Sequence, residues 1–387
     1  MREKMGTKYA IFGAGQYGQQ ALEEYGSENV ECFIDNSIKE SVKGSIPIIS
    51  LDEYIQKKKK CQIIIATKYA KNIVKQLEDK GIYQYQIYIH DHCSYYPADM
   101  LVVNPYESKA EAVNEKMWND IVQDNKVSEY IDLCVDRIKD ENKLFRHVEI
   151  ETYNRCNGGC EFCPVSIKQE SRPECKMDER LFKKIINELE AINYDGRLAL
   201  FSNNEPFLDE RILNFHRYAR SHVPRARMHL YTNGTKVSLE QFVEVMKYLD
   251  ELIIDNYNED LKLLPNCRVI KDYCERNPEY ISRVTIVLRK PREILTNRGG
   301  DAPNRKEKVS YPNAKCILPF RQMIIRPDGK VSLCCNDPLG KHTLGDVTQD
   351  TLVNIWYNDK FNMIRKCLVK GRRNWKHCEY CDVFSVG

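Results

Sequence analysis

Val148-Glu149-Ile150-Glu151-Thr152-Tyr153-Asn154-Arg155-Cys156-Asn157-Gly158-Gly159-Cys160-Glu161-Phe162-Cys163-Pro164 is the stretch on which the reading of this chain turns. After a short apolar run, three cysteines stand at spacings of four and three. Three thiolates on one short loop can hold three irons of a four-iron cluster and leave the fourth iron open to a further ligand. Gly158 and Gly159 let the loop fold tightly, because glycine tolerates φ > 0. A zinc knuckle is the competing reading. Structural zinc sites use four ligands in paired short spacings, and no fourth ligand lies nearby in sequence.

From His147 onward, strand and helix patterns alternate. Strands are expected at 148–151, 198–202, 228–232, 252–255 and 284–288, with helices at 178–192, 210–221, 239–249 and 260–276. Regular βα alternation means a parallel sheet. In such barrels the chemistry gathers at the C-terminal strand ends, and the cysteine loop follows the first strand.

The loop, including the aromatic Phe162 before its last cysteine, resembles the cluster-binding signature of the radical SAM enzymes. The resemblance implies a partial (β/α)6 barrel, of which five strands can be placed from sequence and the sixth cannot. It also implies that the open iron chelates S-adenosylmethionine (SAM), which is cleaved reductively to a 5′-deoxyadenosyl radical, with Phe162 beside the cofactor. Ser202-Asn203-Asn204-Glu205-Pro206 stands where that family has a Gly-Gly-Glu-Pro-like motif, with Asn203 and Asn204 replacing both glycines. Glu205 and neighbouring carbonyls are then expected to hold the ammonium group of SAM. Thr232-Asn233-Gly234-Thr235 matches the family's Thr-Asn-Gly turn, although an ordinary turn would also use Asn-Gly. Asp255 and Asn256 end the fourth strand and are expected to line the cavity near SAM. Arg298, in Thr296-Asn297-Arg298-Gly299-Gly300, is expected to contact substrate from between two cluster regions, since a guanidinium forks onto hydroxyls or carboxylates. A plain surface arginine fits that position equally.

Cys316, Cys334, Cys378 and Cys381 form a second group, with a hairpin expected to turn at Asp328-Gly329. Four cysteines can fully ligate another four-iron cluster, and a zinc ribbon has the same ligand count. The pattern Cys-x12-Gly-x4-Cys followed by a distant Cys-x2-Cys resembles the SPASM/twitch auxiliary domain, in its form with one auxiliary cluster. Gly345-Asp346-Val347 and Ile355-Trp356 agree with that resemblance. Cys335, adjacent to Cys334, points to the opposite face of its strand and is a spare.

At the N-terminus, the strand Lys8–Phe12 runs into Gly13-Ala14-Gly15-Gln16-Tyr17-Gly18, then a helix, then the strand Val30–Asp35. A G-x-G-x-x-G in that context, with Asp35 about 20 residues on, is the pattern of a dinucleotide fold. Gly13, Gly15, Gly18 and Asp35 are the candidate nucleotide contacts. The segment resembles N-terminal modules of surface-polysaccharide and sugar-nucleotide proteins, which implies a nucleotide or nucleotide-sugar ligand. A degenerate unit used only for docking is the alternative. The expected architecture is α/β. A Rossmann-like domain over 1–97 and a helical linker over 98–143 precede the partial barrel over 144–300 and the auxiliary cluster domain over 301–387. The linker is expected to hold a connecting pair of helices, with a narrow apolar stripe of Leu133, Val135 and Ile138, packed on the outside of the barrel domain.

Composition narrows the partners. Lys+Arg 59 against Asp+Glu 56 gives no basic stripe for nucleic acid. No apolar run is long enough for a membrane span, and residues 1–7 lack a signal-peptide core, so a cytoplasmic location is expected. Nine of the sixteen cysteines lie outside the two groups and are read as reduced thiols of a reducing cytosol. The resemblance implies two four-iron clusters, SAM and a reducing donor such as flavodoxin or ferredoxin. The expected reaction is oxidation of a carbinol carbon on a sugar, aminocyclitol or sugar nucleotide, with the auxiliary cluster taking the electron. Peptide maturation, sugar epimerisation and a non-enzymatic metal scaffold are the alternatives.

Overall fold

The computed structural model describes residues 7–37, 42–57, 60–89, 100–107, 125–305 and 309–384. The N-terminal unit contains β1 (Tyr9–Phe12), α1 (Gln16–Tyr25), β2 (Val30–Ile34), β3 (Val42–Lys43), β4 (Ile46–Ile49), α2 (Leu51–Gln56), β5 (Gln62–Ile65), α3 (Ala70–Asp79) and β6 (Tyr85–Ile87). Its sheet runs β3-β4-β2-β1-β5-β6, parallel except for the β3–β4 pair. Successive strand residues point to opposite faces. Accordingly Ile11, Phe33 and Ile64 pack with Ala21 of α1 on one face. Ala10, Phe12, Cys32, Ile34, Ile63 and Ile65 face the main core on the other.

That core continues through α4 (Asn125–Ile138), which packs on α3 and β6 through Tyr130, Ile131, Cys134 and Val135. The sequence reading put this helix on the outside of the barrel. Its apolar stripe faces the N-terminal unit instead, while Asp132 accepts from Lys315 N at 2.9 Å and Asp136 pairs with Lys315 Nζ at 2.6 Å. The first helix expected in this linker lies outside the described residues. A further difference is β7 (Val102–Val103), inside the expected linker, which pairs in parallel with the last barrel strand. Two residues are too short for a periodic signal, so only tertiary pairing reveals them.

The barrel comprises β8 (His147–Ile150), α5 (Glu179–Ala191), β9 (Arg197–Ala199), α6 (Ile212–His222), β10 (Arg227–Thr232), α7 (Leu239–Val245), β11 (Glu251–Tyr257), α8 (Pro265–Arg276) and β12 (Val284–Arg289). In α5, Asp178 caps by accepting from Arg180 N at 2.8 Å, and Phe182, Ile185, Ile186 and Leu189 form the buried stripe of an amphipathic helix. Phe182 stacks on Phe215 of α6 at 4.1 Å. Ser238 and Gln241 close a capping box at the start of α7.

Then follow β13 (Gln322–Ile325), β14 (Lys330–Ser332), β15 (Thr343–Asp346), α9 (Leu352–Trp356) and α10 (Asp359–Val369). The expected hairpin is present, with Gly329 at φ 82 in its turn. It is not a separate sheet. β13 pairs in parallel with β8, and one nine-stranded sheet runs β15-β14-β13-β8-β9-β10-β11-β12-β7. The C-terminal unit is thus built on the same strand that delivers the three-cysteine loop. Trp356, 1% exposed, locks this junction by donating Nε1 to Lys143 O at 2.9 Å and meeting Phe145 edge-on at 5.4 Å. Among the described residues no helix is long and apolar enough to cross a membrane.

Candidate active site

The three-cysteine loop leaves β8 at the C-terminal edge of the sheet. Gly158 N donates to Cys156 Sγ at 3.3 Å, and Glu161 N ties the loop to Pro291 O beyond β12 at 2.9 Å. Burial first, with the nearby Cys163 thiol contributing, pushes the thiols of Cys156 and Cys160 up to about 12. A Cβ added at Gly158 would lie 3.3 Å from Cys156 Sγ and 3.7 Å from Cys160 Sγ. The loop therefore keeps an open cradle between its thiols.

The Thr-Asn-Gly turn packs on this loop. Asn233 Nδ2 donates to Asn157 Oδ1 at 3.0 Å and Asn157 Nδ2 to Thr235 Oγ1 at 2.8 Å. Glu205 is 1% exposed and accepts from Thr232 Oγ1 at 2.7 Å, Asn233 N at 2.8 Å and Phe207 N at 3.1 Å. A carboxylate has about four acceptor sites, so these three donors take most of this one. Burial still lifts its pKa to about 7. The expected partner of an ammonium group is thus first the knot that joins the strand-end loops. Asn204 Oδ1 accepts from Ser202 N at 3.0 Å, and its Nδ2 is enclosed without a partner.

Phe162 and Tyr257 stand 5.7 Å apart at the mouth between the loop and β11. The charges of Asp255 and Glu293 act on Cys160; Arg289 Nε is 2.8 Å from Glu293 and 3.9 Å from Asp255. Tyr106 Oη donates to Glu293 Oε2 at 2.5 Å. Asn256 does not join this lining. It has no exposed surface, and its amide holds Lys262 O at 3.0 Å and Leu264 N at 2.8 Å, which fixes the loop before α8.

Inside the barrel lies a polar layer that sequence reasoning passed over. Val148 and Ile150 face the helices, so His147 and Glu149 point inward, with Arg197, His229 and Gln322. Glu149 Oε2 accepts from Ser202 Oγ at 2.6 Å. Burial lifts Glu149 to about 7, against the pull of Ser202, Arg197 and Arg298. Glu151 pairs with Arg172 at 2.9 Å, and Arg172 also reaches Glu170 and Asn203 O. The alternation His147/Glu149/Glu151 was the available signal, masked by reading 148–150 as an apolar run.

The C-terminal thiols form the second group. Burial raises Cys334, Cys378 and Cys381; Cys316 raises all three, and Cys334 also feels Cys335, Cys378 and Cys381. Arg372, 1% exposed, donates to the carbonyls of Cys381, Val383 and Lys315 and so frames the last two cysteines. Cys335 turns away: Asn336 Nδ2 donates to its Sγ at 3.3 Å, and Asn203 Nδ2 to its carbonyl at 3.4 Å.

Arg298 bridges the two regions. Asn297 N donates to Asp382 Oδ1 at 2.7 Å, and a Cβ at Gly299 would meet His377 Nε2 at 2.6 Å. Arg298, at φ 52, sends Nη2 to Asn203 Oδ1 at 3.0 Å. A non-glycine residue in the left-handed region is uncommon and marks a site where surroundings dictate the backbone.

Among the described residues no three His, Cys, Asp or Glu side chains close on a single metal ion. The donors instead stand as a thiol trio with an open cradle and a thiol quartet, which is the ligand chemistry of iron–sulfur clusters. All are free cysteines. Among the described residues the scattered cysteines form no disulfide either: Cys32, Cys134, Cys267 and Cys274 are buried, Cys61, Cys175, Cys335 and Cys367 half-buried, and Cys93 lies outside the described residues.

Comparison with known proteins agrees with this division. A model of the radical SAM superfamily matches residues 150–290, and a model of an iron–sulfur cluster-binding domain, SPASM, matches residues 316–382. An S-adenosyl-L-methionine-dependent 2-deoxy-scyllo-inosamine dehydrogenase of Niallia circulans is 27% identical over 248 residues, 63% of this chain and 96% of that protein. The crystal structure of BtrN in complex with AdoMet and 2-DOIA is 25% identical with a TM-score of 0.54, covering 62% of this chain and 94% of that one. BtrN in an open conformation is 22% identical with a TM-score of 0.47, over 62% and 94%.

Proposed function

For a chain that belongs to the radical SAM superfamily and carries a SPASM cluster-binding domain, we propose that the reaction is oxidation of a secondary alcohol on an aminocyclitol or similar cyclic polyol to the ketone. What supports this reading best is the seat of Arg298, clamped through Asn297 to the four-cysteine group and reaching Asn203 at the barrel mouth. When bound, SAM on the cluster of Cys156, Cys160 and Cys163 supplies a 5′-deoxyadenosyl radical for hydrogen-atom abstraction, and the cluster of Cys316, Cys334, Cys378 and Cys381 supplies an electron acceptor. A low-potential donor of flavodoxin or ferredoxin type provides the initial electron.

The chain's own residues handle orientation and the proton. Oxidation of a carbinol removes one hydrogen atom, one proton and one electron. Arg298 holds the hydroxyl oxygen and favours negative charge developing there. The hydroxyl proton has an acceptor in Glu149, reached through Ser202 Oγ. Glu205, Thr232 and Asn233 keep the strand-end loops rigid around the cofactor. The dehydrogenase named above is similar over 96% of its length, which supports the substrate class.

Cys335 favours one other reading. Its carbonyl accepts from Asn203 and its thiol from Asn336; a thiol on this residue that returned a hydrogen atom to the abstracted carbon would give an epimer instead of a ketone. Substrate deuterated at one carbinol carbon separates them. Oxidation delivers deuterium to 5′-deoxyadenosine, consumes one SAM per product and leaves a product lighter by two hydrogens. A product of unchanged mass with solvent hydrogen at that carbon would sink the dehydrogenase reading. Arg298→Ala should slow turnover about 10²-fold while leaving SAM affinity nearly unchanged.

A further inference from the structure

The N-terminal unit, which lies outside both family models, holds a cleft that this reaction does not use. From β1 the chain runs outward through β2 and β4, then returns to β5 on the other side. β1 is therefore where strand order reverses, and open parallel sheets bind ligands at the carboxyl ends of strands at such a point. A cavity of about 610 Å³ opens there, lined by Gly13, Gly15, Asp35, Thr67, Tyr69 and Asn72 among others. Small-molecule sites span roughly 300–1,000 Å³.

The three glycines differ in their reasons. Gly13 has φ 113, and a Cβ there would stand 2.6 Å from Ala66 O. A Cβ on Gly18 would overlap Gly13 O, so this glycine lets α1 pack against the loop. Gly15 has φ −78, and among the described residues no atom lies within 4 Å of a Cβ built on it. Folding requires the first and third glycines, whereas the space at Gly15 is open to the cleft. Gly15 is also the N-cap of the ten-residue α1, with no side-chain cap, so the positive end of that helix opens into the cleft.

Asp35 is held in place by Ala14 N on Oδ2 and Ser37 N on Oδ1, both at 2.8 Å. A carboxylate has about four acceptor sites, so each oxygen keeps capacity for a hydroxyl. Tyr69, 47% exposed, offers a flat ring at the rim. Among the described residues the sheet beyond the switch point has only β5 and β6 with α3 between them, less than the second half of a dinucleotide fold.

We propose that this cleft binds a nucleoside diphosphate, free or as the carrier of a sugar. Its diphosphate lies at Gly15 and the start of α1, its ribose against Asp35 and its base against Tyr69.

Calorimetry on the full chain tests this with UDP, UDP-glucose, ADP and NAD+ as probes. Saturable one-to-one binding of a nucleoside diphosphate is expected, and UDP against UDP-glucose tells a free from a sugar-linked ligand. Gly15→Asp supplies the helix with a favoured cap and its Cβ meets no described protein atom, so Tm should hold or rise. Its carboxylate should weaken diphosphate binding about tenfold or more. Absence of saturable binding by all three diphosphate probes, tighter binding of NAD+, or unchanged affinity in Gly15→Asp would each overturn the proposal. So would a fall in Tm, since Gly15 would then be packed by the fold.

Discussion

Replacing Glu149 by glutamine probes the barrel interior most directly. The side chain is 6% exposed and takes a 2.6 Å hydrogen bond from Ser202 Oγ. Burial raises its pKa from 4.5 to about 7, opposed by Ser202, Arg197 and Arg298. At 1.36 kcal/mol per decade, that difference is worth ~3 kcal/mol. The folded chain holds a proton that the unfolded chain gives up above pH 4.5. Stability from this group is therefore complete below 4.5 and is lost as pH rises through about 7. Glutamine has nearly the same shape and does not titrate. Between pH 4.5 and 8 the wild type should lose ~3 kcal/mol more than the variant. Glu151 and Glu205, also raised to about 7 by burial, are common to both chains and cancel in the difference. Equilibrium urea unfolding at a series of pH values, followed by circular dichroism, measures it. A difference below about 0.5 kcal/mol would refute the claim that burial dominates this carboxyl. In the assembled enzyme the same variant should still transfer deuterium into 5′-deoxyadenosine but form ketone at least ~10-fold more slowly.

Anaerobically reconstituted wild type should hold about eight irons, and the triple Cys156, Cys160 and Cys163→Ala variant about four; a colourless zinc protein would contradict both cluster assignments. Cys160→Ala should abolish SAM cleavage, whereas Cys378→Ala should keep part of it and lose product, as separate assays of 5′-deoxyadenosine and ketone will tell. Asp382→Asn breaks a 3.0 Å pair with Arg305 whose side chains are 1% and 3% exposed, and weakens the hold on Asn297. It should cost ~3–5 kcal/mol in denaturant unfolding, because a buried guanidinium loses its counter-charge; a loss under about 1 kcal/mol would mean that water reaches the pair.

Short-range pattern carried much of this chain's meaning. Cysteine spacing alone distinguished a trio from a quartet, because cluster ligation depends on which thiols share a loop. The βα alternation from His147 onward announced a parallel sheet, since 3.6- and 2-residue periods are local properties of a backbone. Glycine spacing announced the turn after β1. Long-range pairing was not legible. Val102–Val103 became the edge of the barrel sheet, and β13 joined β8, only through hydrogen bonds between residues distant in sequence. The stripe of α4 was visible in sequence, but which surface it covers was not. Glu149, Ser202, Arg172 and Arg289 acquired meaning from partners on other strands and loops. The same limit applies to Glu205 and Asn256, whose motif positions were readable while their hydrogen bonds were not. Sequence therefore determined which chemistry this protein can carry, through residue type and spacing. Tertiary structure decided which polar groups share a buried space, where low dielectric sets both their protonation and their partners.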